Sequence, residues 1–198
     1  MKQLPNILTV LRFVLTLIFI GCLIQPGLGP VVAAVLVFLA ASISDYYDGY
    51  LAKKYKAESN FGKIMDPIAD KFLLLAAFYI FMDMGIIAFW MFAVILVREI
   101  LVTGMRVVLI GRGLYLGAAK AGKCKTVSQI VAVCVILIFI VLLRHPIFSR
   151  SIFAYLDVWL TGIGVLMLIT VGMTLISGIS YMWNNRRAFC MTGGGEPS

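Results

Sequence analysis

Residues 130–143 read IVAVCVILIFIVLL, fourteen apolar residues in succession without a charge. With residues 127–129 they supply most of a membrane-spanning helix, which needs about 20 predominantly apolar residues. Further apolar runs lie on both sides of it, and Gly- and Pro-containing connectors separate them. These runs are residues 7–24, 31–44, 72–81, 86–97 and 155–183. The sequence therefore predicts an all-α integral membrane protein with six transmembrane helices.

The composition of the whole chain favours the same fold class. Hydrophobic residues make up 62% of the 198 residues and charged residues 13%, against about 25% charged residues in an ordinary soluble domain. This balance excludes an ordinary cytosolic enzyme, a disordered chain and a secreted disulfide-rich scaffold. The net charge of +8 fits a cytoplasmic membrane face with anionic partners better than it fits nucleic acid binding.

The basic residues predict the orientation of the helices. If the N-terminus is cytoplasmic, most lysines and arginines near helix ends fall on that side, and only Arg144 and Arg150 fall on the other. Cytoplasmic loops carry such an excess of basic residues, so both termini are expected in the cytoplasm. We expect residues 1–191 to form one six-helix transmembrane domain and the glycine-rich residues 192–198 to be a flexible tail.

Four aspartates lie close together in sequence, where the second helix is expected to end and the third to begin. Asp45 and Asp48 are spaced i, i+3, and Asp66 and Asp70 are spaced i, i+4, so each pair shares one face of its helix. This requires the second helix to continue toward Lys53. A short link then brings the two pairs together at the cytoplasmic membrane boundary.

Charge and ligand chemistry predict a divalent cation at this aspartate cluster. A charged side chain in the bilayer costs about 2.5–3.5 kcal/mol on insertion scales, and four converging carboxylates also repel one another. Mg²⁺ or Mn²⁺ prefers carboxylate oxygens, and no His or Cys lies between residues 45 and 70 to indicate zinc. The alternative is that the aspartates are solvated groups at helix ends, which the paired spacing makes the weaker interpretation.

The spacing of these residues is also that of a known family. The segment DYYDGYLAK (residues 45–53), followed after eight residues by GKIMDPIAD (62–70), resembles the signature of the CDP-alcohol phosphotransferases. Lys53 stands where the family usually has Arg, which keeps the charge but loses the planar two-pronged guanidinium. Residues 4–12 (LPNILTVLR), 98–106 (REILVTGMR) and 122–126 (GKCKT) are similar to the bacterial phosphatidylglycerophosphate synthases of that family.

The resemblance implies an enzyme that transfers the phosphatidyl group of CDP-diacylglycerol to glycerol 3-phosphate and releases CMP, with its active site at the cytoplasmic boundary. It implies that Asp45, Asp48 and Asp66 hold Mg²⁺ or Mn²⁺, and that Asp70, which also belongs to the predicted metal site, lies near the metal and is the general base. The residues that it assigns to CDP-lipid binding are Gly49, Lys53, Ser59, Gly62, Asn6 and Thr9. For Asn6, a helix N-cap is an equally good interpretation.

The acceptor phosphate is expected to bind cations near the cytoplasmic ends of the fourth and fifth helices. An arginine offers phosphate two parallel donors, whereas a lysine supplies a point charge, so Arg106 ranks first. The full set is Arg106, Lys123, Lys125, Arg112 and Arg98. Positive-inside topology alone also explains the lysines. Arg98 lies within an apolar segment, where it could instead pair with an acid or anchor a lipid headgroup.

Other acceptors and another class of protein remain as alternatives. Phosphatidylglycerol, in a cardiolipin-type synthase, or an inositol phosphate could replace glycerol 3-phosphate. A cation transporter or channel would use the carboxylates for ion passage, but it leaves the positions of Gly49 and Gly62 unexplained. The resemblance further implies a multi-pass protein of the bacterial inner (cytoplasmic) membrane, surrounded by lipids and assembled as a homodimer. No nucleic acid partner is expected.

Overall fold

The structure, a computed structural model, describes the backbone of residues 4–55, 60–111 and 120–184. Side chains are described for residues 10–43, 71–105, 107, 125–149 and 153–183. Within these ranges the chain forms seven helices and no strand. The helices are α1 (Leu4–Ile24), α2 (Leu28–Tyr55), α3 (Asn60–Asp83), α4 (Phe89–Gly111), α5 (Lys120–Arg144), α6 (Ser149–Ala154) and α7 (Leu156–Asn184).

The predicted all-α class is confirmed for the described part of the chain. Six helices of 21 to 29 residues overlap the six apolar runs, one helix for each run. The polar end of α2 is helical as far as Tyr55, and α3 begins at Asn60. The six-residue helix α6 was not predicted, because residues 149–154 are too few to show a helical repeat of apolar residues.

Among the residues that the structure describes, two helical segments are long and apolar enough to cross a membrane, Lys125–Arg144 and Leu156–Trp183. Shorter apolar segments lie at Val10–Ile24 and Leu28–Ile43. The outward faces of several helices also carry large apolar side chains, among which Ile176 is 67% exposed. Soluble monomers rarely expose apolar surface on this scale. Together these features indicate a membrane protein.

Helix α5, which contains the stretch 130–143, holds much of the bundle together. It contacts α2, α3, α6 and α7, while α1 packs against α2 and α3, and α4 lies against α3 and α7. Ile136 and Leu137 of α5 are buried, whereas Ile138 faces outward and is 52% exposed. The core around them includes large aromatic side chains that are fully buried, such as Phe19, Phe38 and Phe78.

The C-terminal end of α3 is closed by specific backbone contacts. Gly85 has φ +71°, a left-handed conformation that glycine adopts without a steric penalty. Its N–H donates to the carbonyl of Met82 and the N–H of Ile86 donates to the carbonyl of Phe81, both at 2.9 Å. These two bonds form a Schellman motif. They end α3 at Asp83 and direct the chain into α4.

Candidate active site

The signature aspartates lie on helices, as expected if the polar end of the second helix continues toward Lys53. Asp45 and Asp48 belong to α2, and Asp66 and Asp70 belong to α3. Four residues separate Tyr55 from Asn60, so covalent geometry keeps the adjoining helix ends within about 18 Å of each other. The carboxylates themselves lie outside the described side chains. That they converge therefore stays a prediction.

The chemistry of this donor set fits a hard divalent cation. Two pairs of carboxylates at helical spacing supply the oxygen ligands that Mg²⁺ prefers. Among the side chains that the structure describes, no group of three or more His, Cys, Asp or Glu could hold a metal ion. The four aspartates are not part of that set, so they remain the predicted ligands.

A cavity of about 70 Å³ opens beside the aspartate-bearing segments. Ser42 on its wall precedes Asp45 by one helical turn, roughly 4.5 Å along the axis of α2. Lys71, also on its wall, directly follows Asp70 in α3. One water needs roughly 10–15 Å³ of such space, so the cavity has room for a small polar group.

Four helices supply polar or charged side chains to the cavity wall. The polar lining residues are Arg12 from α1, Ser42 from α2, Lys71 from α3, and Lys125, Thr126 and Gln129 from α5. Lys125 and Gln129 are buried, with 4% and 3% of their surface exposed. Three of the lining residues are cations, so the cavity is suited to an anionic group such as a phosphate.

The two lysines of this wall contact the same carboxylate. Lys71 Nζ lies 2.7 Å from Glu99 Oε2 and also donates a 3.0 Å hydrogen bond to Thr103 Oγ1. Lys125 Nζ forms an ion pair with Glu99 Oε1. Both Glu99 and Thr103 belong to α4, one helical turn apart. The contact thus joins α3, α4 and α5 at the cavity.

Arg98 lies on the other side of Glu99, against α7. Its Nη1 is 3.3 Å from Glu99 Oε1, and its Nη2 donates a 2.9 Å hydrogen bond to Ser177 Oγ. The next residue, Gly178, leaves room for the arginine stem, because a Cβ there would lie 3.2 Å from Arg98 Cγ. Of the two alternatives for Arg98 besides phosphate binding, pairing with an acid is the one that the structure shows.

The remaining predicted site residues lie at or beyond the ends of the described side chains. Of the residues predicted to bind the acceptor phosphate, Lys125 lines the cavity. Arg98 is not one of the described residues in the cavity wall. Asn6 and Thr9 lie on α1, Gly49 and Lys53 on α2, Gly62 on α3, Arg106 on α4 and Lys123 on α5. Ser59 and Arg112 lie outside the described residues, as does the predicted tail, 192–198. The roles of all these residues stay predictions.

Sequence reasoning missed several residues of the cavity wall. Arg12 and Lys71 are charged residues inside or beside apolar runs, which is by itself a signal of function in a membrane helix. The argument that the sequence analysis gives for Arg98 therefore holds for Arg12 and Lys71 as well. Ser42 and Gln129 carry no comparable signal, because single uncharged polar residues are common in apolar helices.

Comparison with known proteins agrees with the resemblance read from the sequence. Residues 2–175 match the family model of CDP-alcohol phosphatidyltransferase. A Bacillus subtilis protein named CDP-diacylglycerol–glycerol-3-phosphate 3-phosphatidyltransferase is 36% identical over 95% of this chain and 97% of its own length. A probable phosphatidylglycerophosphate synthase of Mycobacterium tuberculosis is 34% identical over 91% of this chain and 80% of its own.

A third relative, from Rickettsia felis, carries the same name as the Bacillus protein. It is 33% identical over 91% of this chain and 93% of its own length. With the family model matching most of the chain and relatives of such similarity along nearly all of it, the chain belongs to the CDP-alcohol phosphatidyltransferase family of enzymes.

Proposed function

We propose that this protein transfers the phosphatidyl group of CDP-diacylglycerol to glycerol 3-phosphate, forming phosphatidylglycerophosphate and CMP. The observation that carries the proposal is the cationic cavity beside the aspartate signature of this family. The acceptor differs from a plain alcohol by its phosphate, and a wall with Arg12, Lys71 and Lys125 provides charge-assisted donors for that group. The relatives' names support the same pair of substrates.

The chain's own residues divide the work between two neighbouring sites. Asp45, Asp48 and Asp66, with Asp70 nearby, would hold Mg²⁺ or Mn²⁺; when bound, the metal would supply positive charge to neutralise the diphosphate and stabilise the CMP leaving group. Residues near the signature bind the CDP-lipid, and the cavity holds the acceptor phosphate. Lys123, Arg106 and Arg112 would add cations at the ends of α4 and α5. The CDP-lipid set is Gly49, Lys53, Ser59, Gly62, Asn6 and Thr9.

The reaction is a displacement at the phosphorus that carries the diacylglycerol. Asp70 accepts the proton of the acceptor hydroxyl, whose oxygen forms a bond to that phosphorus. The bond from the phosphorus to the CMP oxygen breaks, and CMP leaves with the electron pair. Lys71, next to Asp70 in α3, ties the position of the acceptor phosphate to that of the base. Positioning of this kind supplies a large part of the rate of a bimolecular transfer.

The same proposal includes the arrangement in the membrane. Six helices span the bacterial inner membrane, both termini are cytoplasmic, and the aspartates lie at the cytoplasmic boundary. Exposed apolar faces and the asymmetry of Lys and Arg support this topology. Residues 1–191 form one catalytic domain, and the enzyme is a homodimer.

The deciding experiment gives purified protein CDP-diacylglycerol and separate acceptors, and follows CMP release. We expect turnover with glycerol 3-phosphate and Mg²⁺, and none after removal of divalent cations with EDTA. Asp66→Asn is the matched control, because it keeps the side-chain shape without the charge. Release of CMP only with phosphatidylglycerol or an inositol phosphate would show that the acceptor is wrong. Full turnover after EDTA treatment would contradict the proposed dependence on a divalent metal.

A further inference from the structure

We propose that Glu99 is a positioning residue for the acceptor-phosphate site: its buried carboxylate holds the ammonium groups of Lys71 and Lys125 at the cavity wall. The inference rests on the proposed function, since it assigns the acceptor phosphate to this cavity. It goes beyond that function in giving a role to an acid that neither the metal site nor the proton transfer uses.

Glu99 lies behind the lysines and away from the substrate space. It is 3% exposed and is not among the described residues that line the 70 Å³ cavity. It lines instead a second space of about 10 Å³, which shares Lys71, Leu74 and Gln129 with the first. That volume is at or below the room for one water molecule. A substrate group therefore meets the lysines, and Glu99 acts through them.

Each of the two lysines pairs with a different oxygen of the Glu99 carboxylate. Lys71 Nζ is 2.7 Å from Oε2, and Lys125 Nζ pairs with Oε1. Each lysine side chain has many rotamers, and fixing one costs free energy. An ion pair formed before the substrate arrives removes part of that cost from substrate binding. It also offsets the repulsion between two ammonium groups that are held close together.

Glu99 is itself anchored to α7. Arg98 Nη1 contacts Glu99 Oε1 at 3.3 Å, and Arg98 Nη2 donates to Ser177 Oγ at 2.9 Å. The Arg98 stem packs on Gly178, where even a Cβ would approach its Cγ to 3.2 Å. A line of contacts thus runs from α7 through Arg98 and Glu99 to the lysines of α3 and α5.

The primary test is Glu99→Gln, which keeps the shape of the side chain and removes its charge. We expect the KM for glycerol 3-phosphate to rise about tenfold or more, the effect of losing one charge-assisted hydrogen bond. The KM for CDP-diacylglycerol should change less than about twofold. Glu99→Asp, which retains the charge, should restore part of the loss. Asp83→Asn, an acid-to-amide change at the exposed end of α3, should alter neither constant.

A double-mutant cycle shows whether Glu99 acts through Lys71. If it does, Glu99→Gln should raise the acceptor KM less in a Lys71→Met background than in the wild type. Equal effects in both backgrounds would overturn the inference. So would an equal rise in both KM values, which is expected of a residue that only stabilises the fold, or no change in either.

The inference can still be tested if Glu99→Gln does not fold or if the wild type uses another acceptor. If Glu99→Gln does not fold, Ser177→Ala removes only the hydroxyl that accepts from Arg98. A rise confined to the acceptor KM then supports the inference, and unchanged constants overturn it. If the wild type uses another phosphorylated acceptor, the proposed function fails, but the same cycle with that acceptor's KM still tests Glu99.

Discussion

Lysine and arginine within apolar helices are costly unless their charge is compensated, and in this protein several of them meet at one carboxylate. Lys71, Arg98 and Lys125 each contact Glu99, although they come from three different helices. Two of the three also line the cavity beside the aspartate signature. At the scale of single residues, charge inside the bundle is therefore concentrated where the proposed chemistry needs it.

Changing Asp70 or Asp66 to asparagine is expected to affect catalysis and CDP-lipid binding differently. A general base contributes typically about 10²- to 10⁴-fold to the rate, so Asp70→Asn should lower kcat by about that factor and leave CDP-diacylglycerol binding largely intact. Asp66→Asn should both lower kcat and weaken CDP-diacylglycerol binding, because it removes a metal ligand. Steady-state kinetics and a CDP-lipid binding assay check this. Loss of binding in Asp70→Asn would contradict its role as base.

At the scale of helices, the sequence indicates most clearly where each helix ends. Gln25-Pro26-Gly27 separates α1 from α2, and Met84-Gly85 follows α3. Both glycines have positive φ, 109° at Gly27 and 71° at Gly85. A residue with a Cβ enters that region only at a cost, so these two positions determine where the chain turns.

Replacing Gly85 by alanine should destabilise the protein by about 1 kcal/mol, because an L-residue is strained at its φ of +71°. Thermal unfolding in detergent measures the change. Gly162→Ala is the matched control, since Gly162 lies within α7 and a Cβ there meets no atom within 4 Å. That variant should unfold no earlier than the wild type. Equal destabilisation of both variants would contradict the explanation.

Arg144 caps a neighbouring helix. Its Nη1 donates to the carbonyl oxygens of Gln25 (2.6 Å) and Gly27 (3.4 Å), and its Nη2 donates to that of Leu23 (3.3 Å). These carbonyls lie at and just beyond the C-terminal end of α1, where the helix dipole favours a cation. The contact fastens the end of α5 to the turn between α1 and α2.

Arg144→Met keeps much of the stem and removes the guanidinium, so we expect a loss of about 1–2 kcal/mol in the free energy of unfolding. Arg144→Lys retains the charge without the two-pronged geometry and should lose less. Both are measured by thermal unfolding, with acceptor KM as the specificity control, because Arg144 does not line the cavity. An unchanged unfolding temperature in Arg144→Met would contradict the capping role.

At the scale of the whole molecule, apolar side chains face both inward and outward. Phe19 and Phe139 are buried, while Leu36 and Ile100 are 62% and 61% exposed. Lipid can cover the exposed set without cost, so the bundle needs no polar outer surface along its length.

The orientation of this bundle can be tested with single cysteines. In a background without native cysteines, Lys56→Cys should react with an impermeant reagent only from the cytoplasmic side. Arg150→Cys, in α6, should react only from the opposite side, because an odd number of spans separates the two positions. Labelling after permeabilisation controls for the reactivity of each thiol. Reaction of both from the same side would show that the topology is wrong.

The sequence by itself determined the six long helices, their approximate ends and the family. Apolar runs and Gly- or Pro-containing turns act within one helix length, so they can be read locally. The second helix was expected to continue toward Lys53, and the structure extends it to Tyr55 and begins α3 at Asn60. The roles of the signature aspartates remain predictions, because their carboxylates lie outside the described side chains.

Only the tertiary structure decided which polar residues meet. Lys71, Glu99 and Lys125 are separated by 28 and 26 positions, and no local pattern states that α3, α4 and α5 bring them together. Arg98 and Ser177 are 79 positions apart, and they meet only because α7 packs against α4. The physical reason is that helix packing is decided by the whole apolar surface. A charge in one helix acquires its partner only once every neighbouring helix is in place.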